Sequence, residues 1–271
     1  MYFSIDDASY WFERTGEGPP VVMLHGFTGS SQTWKKLVAA WQDTFEVITI
    51  DLPGHGKTNT ETPRTMEKCC QDVKKLLNHL QLTSIHLVGY SMGGRTALTF
   101  AMMFPSHVQS LTLESSSPGL EDVLEREKRV IHDTELATKI EKEGITAFVD
   151  FWENIPLFQT QLNLPTNLKQ EVRVERLAQS EAGLSQSLRY MGTGVQPSWW
   201  GSLEQLDVPV LLVVGSLDEK FLQLNKKMRE SLPNSRLAVV ENTGHAIHVE
   251  QSNFFGKIVL EFIFQHSLPI T

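Results

Sequence analysis

Six short apolar runs, residues 21–24, 47–50, 85–88, 108–113, 210–214 and 237–240, are each bounded by turn residues and lack clean polar alternation. A strand with one wet face alternates apolar and polar residues, so runs of this kind read as strands buried on both faces, as in a parallel sheet covered by helices. Helical patterns lie between several of them. The clearest, residues 65–80, places Met66, Cys69, Val73, Leu76, Leu77 and Leu80 at helical spacing, which assigns Cys69 to packing. Strands alternating with helices imply right-handed crossovers and an α/β fold with helices on both faces of the sheet. The rhythm breaks between residues 119 and 200, where charge-rich helical patterns at 121–142 and 168–190 occur without a convincing strand. Residues 119–200 are therefore expected to form a helical insertion in a sheet domain built from residues 1–118 and 201–271.

The chain has the means to cover such a sheet, since its 271 residues are 41% apolar and 21% charged. Its formal charge of −8 and the lack of a basic stripe argue against nucleic acid as a partner. No window approaches the ~18–20 uncharged apolar residues needed to cross a bilayer, and residues 1–14 lack a basic region followed by an apolar one. No membrane insertion is expected. Cys69 and Cys70 are the only cysteines, and adjacent cysteines are poor partners for each other, so a reducing cytoplasm is the expected compartment. The sequence carries no oligomeric signal, and a monomer is the starting expectation.

The sharpest chemical signal is Gly89-Tyr90-Ser91-Met92-Gly93, which follows the run at 85–88 and precedes a helix-compatible stretch. A Gly-x-Ser-x-Gly between strand and helix forms a nucleophile elbow, whose glycines make room for a strained turn that pushes the serine hydroxyl outward. Such a serine needs a base, and the base needs an orienting acid. His245 follows the last apolar run and Asp218 the run before it, giving the chain order Ser91, Asp218, His245. His248, three residues on, and Glu114, closing the run at 108–113, are the competing base and acid. After residues 21–24 comes His25-Gly26-Phe27-Thr28-Gly29, whose glycines let main-chain N–H groups turn inward; those of Phe27 and Met92 would form an oxyanion hole. His25 itself reads as a structural histidine, and Asp51-Leu52-Pro53-Gly54-His55-Gly56 as a structural turn. Four residues past Ser91, one helical turn on, Arg95 falls on the serine's side of the helix. A desolvated guanidinium there is costly without a partner, which an anionic ligand or a neighbouring acid could supply in equal measure.

On His25-Gly26-Phe27, Asp51 to Gly56, Gly89 to Gly93, Asp218 and His245, the chain resembles the α/β-hydrolase superfamily over almost its whole length. The resemblance implies an α/β-hydrolase fold, with a mostly parallel sheet flanked by helices and an inserted helical lid. Fold alone does not settle function in this superfamily, although Ser91 removes the dehalogenase branch, which needs a carboxylate nucleophile. Arg95, Ser117-Pro118-Gly119-Leu120, Phe151-Trp152, Pro156-Leu157-Phe158 and Gln196-Pro197 together look like the 2-succinyl-6-hydroxy-2,4-cyclohexadiene-1-carboxylate synthases of menaquinone biosynthesis. That resemblance implies substrate-binding roles for Tyr90, Arg95, Arg129, Trp152 and Arg176, the arginines holding substrate carboxylates. Arg126, Arg173 and Arg189 are nearby alternatives with the character of a solvated helix face. The chain departs from the family pattern at Ser115-Ser116-Ser117, and at Glu153, where a second lid aromatic is expected.

The family reaction removes a ring proton and eliminates pyruvate, with no water consumed. The implied ligand is a small polycarboxylate, and the implied chemistry uses Ser91 as a base activated through His245, with no cofactor and no metal. The histidines lack the spacing of a metal motif, and no Gly-rich phosphate loop occurs. A carboxylesterase or carbon–carbon hydrolase for an acidic substrate would use the same three residues covalently. A ligand receptor without catalysis is the reading from another class.

Overall fold

The computed structural model describes residues 1–267. Its nine strands are β1 (Tyr2–Ile5), β2 (Ala8–Thr15), β3 (Pro20–Leu24), β4 (Glu46–Ile50), β5 (Asn59–Thr60), β6 (Ile85–Tyr90), β7 (Val108–Glu114), β8 (Val210–Gly215) and β9 (Ser235–Val240). They form one sheet in the order β1-β2-β4-β3-β6-β7-β8-β9, with β5 paired to β2. From β4 to β9 all pairings are parallel, while β2 runs antiparallel to β1, β4 and β5. The six apolar runs all lie in strands, each strand running one or two residues further at one end. The edge strand β1 and its neighbour β2 have no such run, because β1 is mostly exposed and β2 alternates buried and partly exposed residues.

The α-helices of the described residues are α1 (Lys35–Trp41), α2 (Met66–His79), α3 (Met92–Met103), α4 (Val123–Trp152), α5 (Thr166–Leu177), α6 (Glu181–Met191), α7 (Glu219–Ser231), α8 (Ile247–Glu250) and α9 (Ser252–His266). Alternate residues of each central strand point to opposite faces. Val22, Leu24, Leu87, Leu111 and Leu212 pack with α2 and α3 on one face, where Cys69 and Cys70 are buried as free thiols. Val21, Met23, Val88, Leu211 and Val213 pack with α1 and α9 on the other. Burial pushes the Cys69 thiol up to about 12, which keeps it an inert packing group.

Between β7 and β8 lie α4, α5, α6 and two 3-10 segments, Pro156–Asn163 and Trp200–Gln205, with no strand among the described residues. The pattern at 121–142 belongs to the longer α4, which kinks at Gly144, a residue with φ of 81°. The pattern at 168–190 is two helices, broken where Ser180 accepts the N–H of Gly183 and starts α6. These helices have an apolar cluster of their own, formed by Leu136, Ala137, Ile140, Phe148, Val149, Leu184 and Leu188. The two ends of the insertion meet where Trp199 donates its N–H to the carbonyl of Pro118 at 2.8 Å and Trp200 Nε1 donates to the carbonyl of Gly119 at 3.0 Å. Among the described residues, no helix is long and apolar enough to cross a membrane.

Candidate active site

The carboxyl ends of the parallel strands gather the loops that hold Ser91, Asp218 and His245. Ser91 follows β6 at φ 49° and ψ −107°, a conformation that non-glycine residues rarely adopt. The turn closes only because its glycines lack side chains: a Cβ on Gly93 would sit 2.1 Å from the carbonyl oxygen of Leu24, and one on Gly89 2.4 Å from that of Gly93. Ser91 Oγ lies 3.0 Å from His245 Nε2, and His245 Nδ1 donates to Asp218 Oδ2 at 2.6 Å. Asp218 is itself fixed as the cap of α7, accepting the N–H of Phe221. The competing pair goes elsewhere, since Glu114 bonds His248 and neither side chain enters this relay.

His25 is fully buried, with Nδ1 donating to the carbonyl of Gly26 at 2.8 Å and Nε2 accepting the N–H of Leu52 at 3.0 Å. Burial lowers its pKa to about 4, so it stays neutral and ties two loops together. Asp51 accepts the N–H groups of Ser31 and Lys57, the bonding of a structural turn. Phe27 and Met92 line the same cavity as Ser91. Among the described residues, neither of their N–H groups has a main-chain acceptor.

That cavity encloses about 550 Å³. Ser91, His245, Asp218, Tyr90, Arg95, Arg129 and Trp152 all line it, and so do His132 and Lys220, which sequence reasoning missed. Arg95 donates Nη1 to the carbonyl of Met191 at 2.9 Å and to Gln196 Oε1, both neutral acceptors. Desolvation pushes its pKa down to about 9, and Arg129 acts in the same direction. Arg129 donates Nε to Asp133 Oδ1 at 2.8 Å. Asp133 is almost fully buried; burial raises its pKa, and its second oxygen has no partner among the described residues. Its spacing of four from Arg129 was visible in the sequence, but its burial was not.

Three further polar atoms lining the cavity are buried without partners among the described residues: Trp152 Nε1 and the hydroxyls of Ser115 and Ser116. Trp152 packs against Phe27, Phe148 and Phe158, with centroids 5.4, 5.5 and 5.8 Å away. Phe158, rather than a neighbour of Trp152 in sequence, is the insertion's second aromatic at this wall, and Glu153 pairs with Arg173. Arg176 is not brought into the cavity. Its guanidinium lies 4.7 Å from the Phe158 ring centre, donates to Gln161 Oε1 at 3.0 Å, and lines a neighbouring cavity of about 460 Å³ that shares Phe27, Tyr90 and Phe158 with the first. The alternatives are occupied elsewhere: Arg126 holds the carbonyls of Gly194 and Gln196, Arg173 pairs with Asp150 and Glu153, and Arg189 pairs with Glu141.

A model of the alpha/beta hydrolase fold family matches residues 19–252. A Bacillus subtilis protein with the provisional name 2-succinyl-6-hydroxy-2,4-cyclohexadiene-1-carboxylate synthase is 44% identical, over 91% of this chain and 92% of its own. A protein of that name from Yersinia pseudotuberculosis is 30% identical, over 92% and 89%. Among solved structures, MenH from S. aureus superposes with a TM-score of 0.91 at 38% identity, covering 95% of this chain and 98% of its own. A malate-bound thermophilic esterase from Thermogutta terrifontis superposes at 0.84 with 27% identity, covering 96% and 95%. The chain belongs to the alpha/beta hydrolase fold family and, within it, to the family of the 2-succinyl-6-hydroxy-2,4-cyclohexadiene-1-carboxylate synthases.

Proposed function

We propose that this chain is a carbon–oxygen lyase of menaquinone biosynthesis, eliminating pyruvate from 2-succinyl-5-enolpyruvyl-6-hydroxy-3-cyclohexene-1-carboxylate to give 2-succinyl-6-hydroxy-2,4-cyclohexadiene-1-carboxylate. The observation that carries this reading is a hydrogen-bonded Ser91–His245–Asp218 relay opening into a cavity where Arg95, Arg129 and Lys220 outnumber unpaired acids. An uncharged substrate would leave the desolvated Arg95 without a counter-ion, whereas a polycarboxylate supplies one.

In the proposed reaction, His245 accepts the Ser91 proton and the Ser91 oxygen removes the ring proton. The electron pair of that C–H bond forms a ring double bond between C2 and C3, the pair of the existing 3-ene moves to C4–C5, and the C5–oxygen bond to the enolpyruvyl group breaks. The leaving enolate gains a proton and becomes pyruvate, so no water is consumed. Asp218 keeps His245 in the tautomer that accepts at Nε2 and stabilises its protonated form. The N–H groups of Phe27 and Met92 would take charge developing on a substrate carboxylate. Arg95 and Arg129 would hold other carboxylates, two-pronged where geometry permits. Arg176 would join them across Phe158, and Tyr90 and Trp152 would pack on the ring. Residues 119–200 would act as the lid over a core of residues 1–118 and 201–271. The buried free thiols favour a reducing cytoplasm, and a single protomer contains every residue named.

The test is direct: the enolpyruvyl intermediate is generated in a coupled assay, and pyruvate is measured on adding this protein. Pyruvate release that disappears with Ser91→Ala is the expected result; none from the wild-type protein overturns the reading. A second reading, covalent hydrolysis of an acidic ester, draws on the likeness to the malate-bound esterase. Labelled oxygen from water would enter the product acid in that case and stays out of the carbocyclic product of an elimination. A serine adduct during turnover of the native substrate would favour hydrolysis.

A further inference from the structure

Glu114 is fully buried, and the proposed reaction gives its carboxylate no part. It ends β7, in register with Tyr90 at the end of β6. Its main-chain carbonyl accepts the N–H of Ser91 at 2.9 Å. Its carboxylate grips a different loop, accepting the main-chain N–H of His248 at 2.9 Å and the Nδ1–H of His248 at 2.8 to 2.9 Å. His248 lies on the single turn of α8, three residues beyond His245.

One residue thus holds both loops that must meet for Ser91 to be activated. The His248 ring is wedged 4.4 Å from Tyr90 and 4.9 Å from Trp34, and Tyr90 in turn stands 5.5 Å from His245. His248 Nε2 has no partner among the described residues, so the pair hands no proton on to the relay. A buried carboxylate is costly unless its oxygens are bonded, and here both oxygens are spent on His248. β7 also lies between β6, which delivers Ser91, and β8, which delivers Asp218.

We propose that Glu114 and His248 form a positioning pair that sets the distance between Ser91 Oγ and His245 Nε2. Neither touches the substrate. The pair acts by holding the start of α8 against the nucleophile elbow, and a small misplacement there weakens proton transfer more than it weakens binding. The inference rests on the relay being catalytic, which the proposed function assumes, but it does not depend on the identity of the substrate.

Its test therefore reads Ser91 directly, by the rate at which a fluorophosphonate probe labels that serine in the intact protein, beside kcat and KM for pyruvate release. Glu114→Gln keeps the size and the main-chain carbonyl but sets an amide against His248. It should slow labelling and kcat together by about 10- to 100-fold with KM changed by less than about twofold, the pattern of lost positioning rather than lost binding. His248→Leu should fall similarly, and the double variant no further than the worse single one, since both cut the same link. His248→Asn can donate from its amide where Nδ1 does and should recover most of the labelling rate. If Glu114→Gln fails to fold, the contrast between His248→Leu and His248→Asn decides alone. A folded Glu114→Gln or His248→Leu with wild-type labelling, or losses that add in the double variant, overturns the proposal. Labelling that behaves as expected without pyruvate release from the wild-type protein supports the positioning pair and sinks the lyase reading.

Discussion

Arg95 carries a charge whose protein partners are the neutral oxygens of Met191 and Gln196, and burial holds its pKa down to about 9. Such a group is poised to gain from an anion, because the ligand restores what desolvation removed. Arg129 differs: Asp133 already holds its Nε, and among the described residues its two terminal nitrogens have no partner, which leaves them for a two-pronged contact. Arg95→Ala and Arg129→Ala should each weaken capture of the polycarboxylate by about 1.5–3 kcal/mol, the worth of a charged hydrogen bond. Steady-state kcat/KM for pyruvate release checks this, and wild-type values in both variants would return the two arginines to a structural role. The residue types and the turn at Ser91 were legible in the sequence because each is a local requirement. The unpaired oxygen of Asp133 and the orphan Nε1 of Trp152 were not, because an atom is unpartnered only with respect to a finished neighbourhood.

At the scale of elements, the elbow between β6 and α3 depends on approach distances that admit no side chain. Gly93→Ala would force a Cβ against the carbonyls of Leu24 and His25, both main-chain atoms that cannot swing aside. The variant should lose about 1–3 kcal/mol or more of stability and most Ser91 reactivity, read by urea unfolding and by probe labelling. His25 joins the loop after β3 to the one after β4, and it must be neutral to accept the N–H of Leu52. Its pKa falls from 6.5 to about 4 on folding and that of His55 to about 3, burial being the main cause for both. The unfolded chain therefore binds more protons below pH 6.5, so this stability is complete above that pH and is lost as pH falls towards 4. For His25 alone the loss is roughly 3 kcal/mol. Urea midpoints measured between these pH values should fall, and His25→Gln should remove one proton's worth of the slope. An unchanged slope would show that His25 is not the neutral tie described. The helices of the insertion were legible as helices, but the break at Ser180 fell inside the charge-rich pattern at 168–190, and α4 runs past the end of the pattern at 121–142 through the kink at Gly144.

Across the whole molecule the charge is −8, yet the cavity above Ser91 presents Arg95, Arg129 and Lys220. A concave site with low-dielectric walls focuses its own field, so the local positive potential governs the last approach of an anion against the repulsion of the surface. Raising ionic strength should therefore lower kcat/KM for the polycarboxylate, since screening removes the attraction at contact distances near the Debye length. A rise in kcat/KM with salt would show that the surface charge dominates. The sequence by itself determined the parallel sheet, the elbow, and the order of Ser91, Asp218 and His245, because periodicity, turn glycines and chain order are properties of neighbouring residues. Only the tertiary structure decided that Asp218 and not Glu114 faces His245, that Phe158 divides Arg176 from the cavity, and that β1 and β2 extend the sheet through antiparallel pairings. These outcomes depend on which distant segments share a strand end, and a contact between residues far apart in the chain is set by packing of the whole and not by the local pattern of either.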